Sequence, residues 1–222
     1  MSTPTLKTVV LDLDGTLLDS VYVHALAWGA AFRDVGLHIP THHIHRLIGM
    51  GGDRVVTEAA GQAAEDAVGD EVRERQHVRL DELFGHITPT DGAVEFLLEL
   101  RSHGIDVVLA TSGDSQTTDR LLDLLGEGRA VLENVVTGSE AARSKPDGEL
   151  LDVALASVDA SSALMLGDAV WDVLASRDAG VPCVGLLSGG FSTAELRDAG
   201  AVEVVDSPRV LAERLRAGHP LL

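Results

Sequence analysis

Short apolar runs alternate with longer amphipathic segments along most of the chain. Five apolar runs are bounded by Gly, Ser, Asp or Pro and occupy residues 8–13, 105–110, 163–167, 182–187 and 202–205. Continuous apolar runs of this length are typical of strands that are buried on both faces of a parallel sheet. A shorter run at 135–136 is a candidate for a sixth strand.

The segments between these runs carry apolar residues at helical spacing. The spacing predicts helices over 92–102, 115–125, 150–156, 170–179, 194–199 and 210–215. Strands that alternate with helices through short links predict an α/β fold, a doubly wound parallel sheet with a Rossmann-like core.

One stretch interrupts this alternation. Residues 20–86 contain no convincing strand, and the spacing predicts helices over 21–35, 44–48, 55–60 and 68–84. We therefore predict an α/β core over residues 1–19 and 87–222, with an inserted all-helical cap domain over 20–86. An insertion at the carboxyl end of the first strand would cover the crevice in which open α/β sheets bind their ligands.

Composition is that of an ordinary globular protein, but charge is not. Apolar residues make up 45% of the 222 residues, and the net charge is −18. A field of this sign repels nucleic-acid backbones and anionic membranes, so neither is an expected partner. It leaves room for a local positive pocket that binds a small anion.

The cysteine content and the length of the apolar runs indicate where in the cell the protein is expected. Cys183 is the single cysteine, which excludes an internal disulfide and a cysteine-based zinc site. No apolar run is long enough to span a bilayer, and the first residues lack the layout of a signal peptide. We expect a cytoplasmic protein.

The first strand is followed by two acidic residues and a glycine. Asp12 and Asp14 are two positions apart, so their side chains point the same way along a strand. Gly15 permits a sharp turn that would carry Asp14 into the mouth of a site. The alternative is a turn that ends the strand, with both acids solvated.

The next predicted strand ends in Thr111, Ser112 and Gly113. A hydroxyl and a glycine-opened turn at this place could present donors to a phosphate, although such turns are common. Lys145, one of only two lysines, precedes a predicted helix, where the helix dipole disfavours a cation. It is either solvated or paired with an acid in a site.

Another strand ends in Asp168, with Asp172 four residues further on. This spacing puts both acids on one face of the first helical turn. The alternative is that Asp168 caps the helix and Asp172 is a surface residue.

In a parallel sheet these strand ends meet at one edge. Crowded carboxylates cannot all stay ionised without a cation. A set of oxygen ligands with few protein donors suits Mg²⁺, which keeps waters and binds substrate phosphate.

Taken together and in this order, these motifs resemble those of the haloacid dehalogenase superfamily, and the helical insertion resembles its type I cap. The phosphoglycolate phosphatase-like and β-phosphoglucomutase-like members are the most similar. The set comprises Asp12-Leu-Asp14-Gly-Thr, Thr111, Lys145-Pro146 and Gly167-Asp168-Ala-Val-Trp-Asp172.

The resemblance implies a Mg²⁺-dependent phosphatase that acts on a small phosphorylated metabolite through an aspartyl-phosphate. Asp12 would be the nucleophile and Asp14 the general acid and base. Thr111 and Lys145 would hold the phosphoryl oxygens. The remaining phosphate- or substrate-binding candidates are Gly15, Ser112, Gly113, His24 and Arg46.

The resemblance also implies a metal site. Asp12, Asp168 and the main-chain carbonyl of Asp14 would hold Mg²⁺, while Asp172 would support that shell or orient Lys145. A dehalogenase needs neither the second acid nor Mg²⁺, so Asp14 favours phosphoryl transfer.

Two alternatives remain. His24 and Trp28 have the spacing of a β-phosphoglucomutase, but Gly52, Asp114 and Gly167 stand where that family carries an arginine, a lysine and an acid. These departures favour a hydrolase over a sugar-phosphate mutase. A non-enzymatic phospho-acceptor resembling a response-regulator receiver would be about half as long and would lack the insertion.

The other notable side chains have simpler interpretations. His42, His43 and His45 lack the spacing of a zinc site and favour a polar cap face, on which His45 could also touch substrate. Trp171 is expected to pack, and Cys183 to lie buried in a strand.

Overall fold

The core of the molecule is a parallel sheet. We describe a computed structural model over residues 6–141, 143–156 and 158–222. The sheet has six strands: β1 (Thr8–Leu11), β4 (Asp106–Ala110), β5 (Asn134–Val136), β6 (Ala163–Gly167), β7 (Cys183–Leu186) and β8 (Glu203–Val205). They are arranged in the order β5-β4-β1-β6-β7-β8. All five neighbouring pairs are parallel. The strand order reverses at β1, which makes its carboxyl end the topological switch point where such sheets bind ligands.

Helices cover both faces of this sheet, as the alternation predicts. They are α5 (Ala93–Ser102), α6 (Ser115–Leu122), α7 (Glu149–Leu155), α8 (Val170–Asp178), α9 (Thr193–Ala199) and α10 (Pro208–Arg216). Successive residues of β1 point to opposite faces, so Val9 and Leu11 belong to one buried cluster and Val10 to another. Apolar runs without alternation are therefore the pattern expected of this sheet.

Four helices lie between the first and second sheet strands in the chain: α1 (Val21–Asp34), α2 (Thr41–His45), α3 (Gly52–Ala60) and α4 (Gln62–Leu83). They share a buried cluster of their own, which includes Trp28, Phe32, Ile44 and Val72. The segment joins the rest of the chain through two neighbouring strands, β2 (Leu18–Asp19) and β3 (Thr88–Pro89), which pair antiparallel. The sequence did not predict this pair, because two-residue strands have no periodicity.

The structure corrects several predicted boundaries. The helix predicted over 115–125 ends at Leu122, and a 3₁₀ segment (Asp123–Val131) follows in which Gly126 has a φ of 54°. Helix α7 begins at Glu149, so Lys145 precedes it in a turn and does not open the helix. Strand β1 ends at Leu11, one residue before Asp12.

Across the described part of the chain, every helix is too short or too polar to cross a membrane.

Candidate active site

Asp12 and Lys145 form a buried ion pair at the carboxyl end of β1. The Lys145 ammonium lies 2.5 Å from Asp12 Oδ1, and the lysine side chain is fully buried. Burial alone would lower the pKa of Lys145, but Asp12 and Asp172 outweigh that effect and raise it well above its usual value. The lysine is therefore a permanent cation held at the floor of the site.

Asp172 is the second partner of Lys145. Its Oδ1 lies 2.8 Å from the ammonium, and its Oδ2 accepts a hydrogen bond from the Ala169 backbone N–H at 3.0 Å. The N-cap of α8 is Ala169, so the alternative in which Asp168 caps this helix is wrong. Asp172 is also fully buried, which rules out a surface position.

Asp168 completes a group of three buried carboxylates. One oxygen each of Asp12, Asp168 and Asp172 lies within 4.8 Å of the others. Asp168 also accepts a hydrogen bond from the Thr16 hydroxyl at 3.1 Å. Burial and the neighbouring carboxylates of Asp172 and Asp12 raise the pKa of Asp168 well above its usual value.

This group fits a divalent cation. Burial raises the pKa of Asp12 to about 7 against the opposing Lys145 ammonium, with Asp172 and Asp14 adding to the rise. Asp12 Oδ2 is buried and makes no hydrogen bond with the described part of the chain. An unpartnered carboxylate oxygen beside a second acid is the arrangement that a hard cation with oxygen ligands stabilises. Asp14 does not contribute its side chain to this group.

Asp14 instead faces helix α1. Its Oδ1 accepts a hydrogen bond from the Ser20 hydroxyl at 2.5 Å and lies 2.9 Å from Nε2 of His24. Burial would raise the pKa of Asp14, but His24 and Ser20 outweigh it and lower the pKa. Burial would likewise lower the pKa of His24, but Asp14 outweighs it and raises the pKa. Both shifts favour the charged forms, a carboxylate on Asp14 and an imidazolium on His24.

The turn after β4 brings the predicted phosphate-binding residues to the same edge. Thr111, Ser112 and Gly113 line the same cavity as Asp12 and Asp14. The Gly113 backbone N–H donates to Thr111 Oγ1 at 3.2 Å. Ser112 Oγ is buried and has no hydrogen-bond partner among the described residues. Its hydroxyl is available to an anion.

The cavity has a volume of about 310 Å³ and lies between the sheet edge and the helical segment. On the side of the helical segment, the cavity is lined by His24, Trp28, Asp53, Gln76 and His77. Lys145, Asp168 and Asp172 lie outside its lining and reach it through their contacts with Asp12. This size suits a small molecule.

Arg46 and His45 lie outside the cavity lining. The Arg46 guanidinium pairs with Glu195 and lies 3.9 Å from the Phe191 ring centroid. His45 Nε2 lies 2.9 Å from the Gly189 carbonyl oxygen, and its ring stacks on Tyr22. The structure therefore does not favour the expectation that either residue contacts substrate.

Two glycines are required by close approaches. Gly15 has a φ of 80°, and a Cβ there would lie 2.3 Å from Asp168 Oδ2, so the turn tolerates no side chain. A Cβ at Gly167 would lie 2.3 Å from the Asp172 carboxyl carbon. The acid that a β-phosphoglucomutase carries there does not fit this arrangement.

Sequence reasoning missed several polar residues of the site, among them Thr16, Ser20 and Gln76. Thr16 and Ser20 could have been predicted, because each carries a hydroxyl and lies only a few residues from Asp14 in the sequence. Gln76 is separated from the motifs by a helical insertion, and no spacing rule connects it to them.

The other side chains lie as their types suggested. Trp171 packs in a partly buried position and donates its Nε1–H to the Arg46 carbonyl oxygen at 3.0 Å. Cys183 is buried in β7, and burial raises the pKa of its thiol.

Comparison with known proteins identifies the family. The model of the haloacid dehalogenase-like hydrolases matches residues 6–180. A phosphoglycolate phosphatase from Caulobacter vibrioides is 31% identical and covers 90% of this chain and 86% of its own. A validoxylamine A 7′-phosphate phosphatase from Streptomyces hygroscopicus subsp. limoneus is 29% identical and covers 81% of this chain and 85% of its own.

Solved structures agree with the fold. A hydrolase from Pseudomonas syringae superposes with a TM-score of 0.89 at 32% identity, covering 96% of this chain and 100% of its own. A putative β-phosphoglucomutase from Bacteroides vulgatus superposes with a TM-score of 0.83 at 21% identity, covering 97% of this chain and 91% of its own. The match to hydrolases over most of the chain favours an enzyme over a receiver-like module.

Proposed function

The chain belongs to the haloacid dehalogenase-like hydrolases, among relatives that are phosphatases, and from this premise we propose that it hydrolyses a small phosphorylated metabolite through an aspartyl-phosphate on Asp12. The observation that carries the proposal is the state of this carboxylate. One oxygen is held by Lys145, and the other is buried without a hydrogen-bond partner in the described part of the chain. Asp12 lines the floor of the cavity, where a phosphoryl group can reach it.

The first half-reaction transfers the phosphoryl group to the enzyme. An Asp12 carboxylate oxygen forms a bond to phosphorus while the bond to the ester oxygen of the substrate breaks. Asp14 passes a proton to the departing oxygen, and the proton comes from the Asp14–His24 pair. Lys145, Thr111 and Ser112 hold the phosphoryl oxygens.

The second half-reaction releases phosphate. A water oxygen forms a bond to phosphorus while the bond to Asp12 breaks, and Asp14 accepts the proton of that water. Inorganic phosphate leaves, and the proton returns to the pair with His24. His24 lies on a cap helix, so it positions Asp14 for both half-reactions.

We propose Mg²⁺ as the cofactor. Asp12, Asp168 and the main-chain carbonyl of Asp14 would hold it, while Asp172 orients Lys145 because both of its oxygens are already occupied. When bound, Mg²⁺ offsets the negative charge of the carboxylates and of the phosphoryl oxygens. We further propose that residues 20–86 form a cap domain over a core of 1–19 and 87–222.

Hydrolysis is favoured over the mutase reaction, in which the phosphoryl group of Asp12 would be transferred back to a sugar phosphate. A side chain at position 167 would clash with Asp172, so the acid of a β-phosphoglucomutase is not accommodated there. Gly52 and Asp114 also replace the arginine and the lysine of that family. These differences support the phosphatase. The relatives differ in their leaving groups, since by their names one acts on phosphoglycolate and another on validoxylamine A 7′-phosphate.

The test is turnover of a panel of phosphorylated metabolites with and without Mg²⁺, with release of inorganic phosphate as the readout. We expect phosphate release that Asp12→Asn reduces by orders of magnitude, because an amide is not a nucleophile. The matched control is Asp106→Asn. Asp106 is an exposed acid at the start of β4, at the end of the sheet opposite to the site. Activity of Asp12→Asn within tenfold of the wild type would contradict the assignment, and conversion of a hexose 1-phosphate to its 6-phosphate would favour the mutase.

A further inference from the structure

We propose that the outer part of the cavity accepts a neutral, hydroxyl-rich leaving group and discriminates against substrates that carry a second anionic group such as a carboxylate. This inference rests on the proposed phosphatase function and assigns its substrate class. It concerns the lining beyond the phosphoryl position, which the catalytic motifs do not determine.

The outer lining is acidic. Asp53 and Asp114 line it, and no arginine or lysine among the described residues does so. Burial would raise the pKa of Asp114, but hydrogen bonds from Thr117, including its backbone N–H at 2.9 Å, and the nearby His77 together outweigh burial and lower the pKa. Asp114 is therefore a fixed negative charge at the mouth of the cavity.

The arginines of the helical segment nearest this lining are occupied elsewhere. Arg54 pairs with Asp147. Arg73 binds Glu65 at 2.7 Å and also donates to the Gly52 carbonyl oxygen at 3.2 Å. Neither guanidinium is available to neutralise a carboxylate of the substrate.

One titratable base stands in this outer part. His77 Nε2 lies 3.9 Å from Asp114 Oδ2, and its side chain is 52% exposed. It faces an acid of the lining, so Asp114 competes with any ligand for this side chain. His24, deeper in the cavity, is already paired with Asp14.

The remaining polar groups are neutral and have free hydrogen-bonding capacity. Gln76 is 6% exposed, lines the cavity, and makes no side-chain hydrogen bond with the described residues. Thr118 is 2% exposed, and its Oγ1 likewise has no partner in that part of the chain. An amide and a hydroxyl both donate and accept, which matches the hydroxyl groups of a polyol.

These features distinguish two classes of leaving group. Hydroxyls can donate to Asp53 and Asp114 and exchange hydrogen bonds with Gln76, while the Trp28 ring offers an apolar wall to carbon-bound hydrogens. A carboxylate in the same place would lose water, face two like charges and find no cation. The cavity therefore favours the alcohol over the acid when the two have the same carbon chain.

The experiment uses pairs of substrates that differ only in this group. Sorbitol 6-phosphate is compared with 6-phosphogluconate, and 2-hydroxyethyl phosphate with phosphoglycolate. We expect kcat/KM to favour the alcohol of each pair by about tenfold or more. Where turnover is slow, inhibition of p-nitrophenyl phosphate hydrolysis by each compound ranks their binding.

Charge-removing variants test the cause. Asp53→Asn and Asp114→Asn keep the shape of each side chain, and asparagine caps a helix as well as aspartate does. Each variant should reduce the ratio of kcat/KM for the alcohol to kcat/KM for the carboxylate severalfold, mainly by raising kcat/KM for the carboxylate. Asp106→Asn, an exposed acid at the far end of the sheet, should leave the ratio unchanged.

A second pair of variants tests the neutral contacts. Gln76→Leu should raise KM for the polyol phosphate several-fold with a smaller effect on p-nitrophenyl phosphate. Gln62→Leu is the matched control on the same helix, since Gln62 is exposed and bonds Asp66. Thermal unfolding of each variant verifies that the fold is retained.

The outcomes separate the two proposals. If no phosphomonoester is hydrolysed, the proposed function fails, and this inference fails with it. If p-nitrophenyl phosphate is hydrolysed but the carboxylate of each pair is bound or turned over as well as the alcohol, only the inference is overturned. A preference for the alcohol that Asp53→Asn and Asp114→Asn leave unchanged also overturns it, because the acidic lining is then not its cause.

Discussion

Lys145 is the residue whose surroundings say most about the site. Its ammonium is fully buried between Asp12 and Asp172. A buried cation is stable only when it is paired, and the acids are stable here only because it is present. Of the two alternatives for Lys145, solvation is wrong and pairing with an acid is confirmed, with Asp12 and Asp172 as its partners.

We predict that Lys145→Ala lowers kcat by roughly 100- to 1,000-fold, about 3–4 kcal/mol, with a smaller effect on KM. The reason is loss of the cation that, in the proposed mechanism, offsets the charge of the phosphoryl oxygens. Lys145→Arg should rescue poorly, because a wide planar fork does not fit a fully enclosed position. Steady-state kinetics provide the measurement, and urea unfolding verifies that each variant is folded.

For Lys145, an alanine variant with wild-type kcat would remove the lysine from the mechanism. Full activity of Lys145→Arg would show that charge alone is sufficient.

The Asp14–His24 pair predicts a pH dependence of stability. The raised pKa of His24 gives a contribution that is complete below its usual value of 6.5 and is lost as pH rises through the folded-state pKa. The lowered pKa of Asp14 gives a contribution that is present above 3.8 and is lost as pH falls through the folded-state pKa. The pair therefore stabilises the fold most between these two usual values.

A double-mutant cycle measures this contribution. Asp14→Asn, His24→Gln and the double variant should give a coupling energy of about 1–3 kcal/mol in urea unfolding at pH 5.5. The coupling should shrink at alkaline pH, above the folded-state pKa of His24. A coupling energy that is constant with pH would mean that the contact is not an ion pair.

At the scale of elements, the segment around α2 is held against the sheet side of the molecule by specific contacts. Trp171, in the first turn of α8, donates to the Arg46 carbonyl oxygen, and Arg46 itself pairs with Glu195 of α9. Further along, the Gly51 backbone N–H donates to Ser144 Oγ at 3.1 Å. These contacts position the cavity-lining residues that the helical segment contributes.

We predict that Trp171→Phe loosens this segment. A smaller aromatic ring remains, but the indole N–H and its hydrogen bond, worth about 1 kcal/mol, are lost. Amide hydrogen exchange over residues 41–50 should become roughly fivefold faster, while exchange in α10 (Pro208–Arg216), which is remote from this contact, serves as the internal control. Unchanged exchange over 41–50 would show that the contact does not restrain the segment.

At the scale of the whole molecule, the net charge is −18, and three of the acidic side chains that contribute to it are buried together at one point. Repulsion among them opposes folding unless cations offset it. A cation that binds only the folded state stabilises it in proportion to the logarithm of its concentration.

We predict that removal of divalent cations lowers both activity and thermal stability. Excess chelator should abolish phosphate release. Added Mg²⁺ at 100 times its dissociation constant should stabilise the fold by about 2.7 kcal/mol and raise the unfolding temperature. Ca²⁺ should bind without restoring turnover, because it accepts more ligands and could capture Asp12 bidentately. Full activity in chelator, or an unfolding temperature that does not respond to Mg²⁺, would contradict the metal site.

The sequence alone determined the sheet and the order of the motifs. The apolar run 163–167 coincides with strand β6, which ends at Gly167, and Asp168 follows directly. Such features are local, because burial on both faces of a sheet requires a continuous apolar run and a strand end requires a turn. Parallel strands then bring their carboxyl ends together, so the convergence of Asp12, Thr111 and Asp168 was predictable without coordinates.

The tertiary structure decided which partner each of these side chains takes. Asp14 turns to His24 on α1 and away from the carboxylate group, Arg46 turns to Glu195, and Gln76 faces the cavity from the long helix α4. Each of these contacts depends on how a helix of the insertion lies across the sheet edge. Helical periodicity identifies the buried face of a helix but not its position against another element, so these contacts could not be predicted from the sequence.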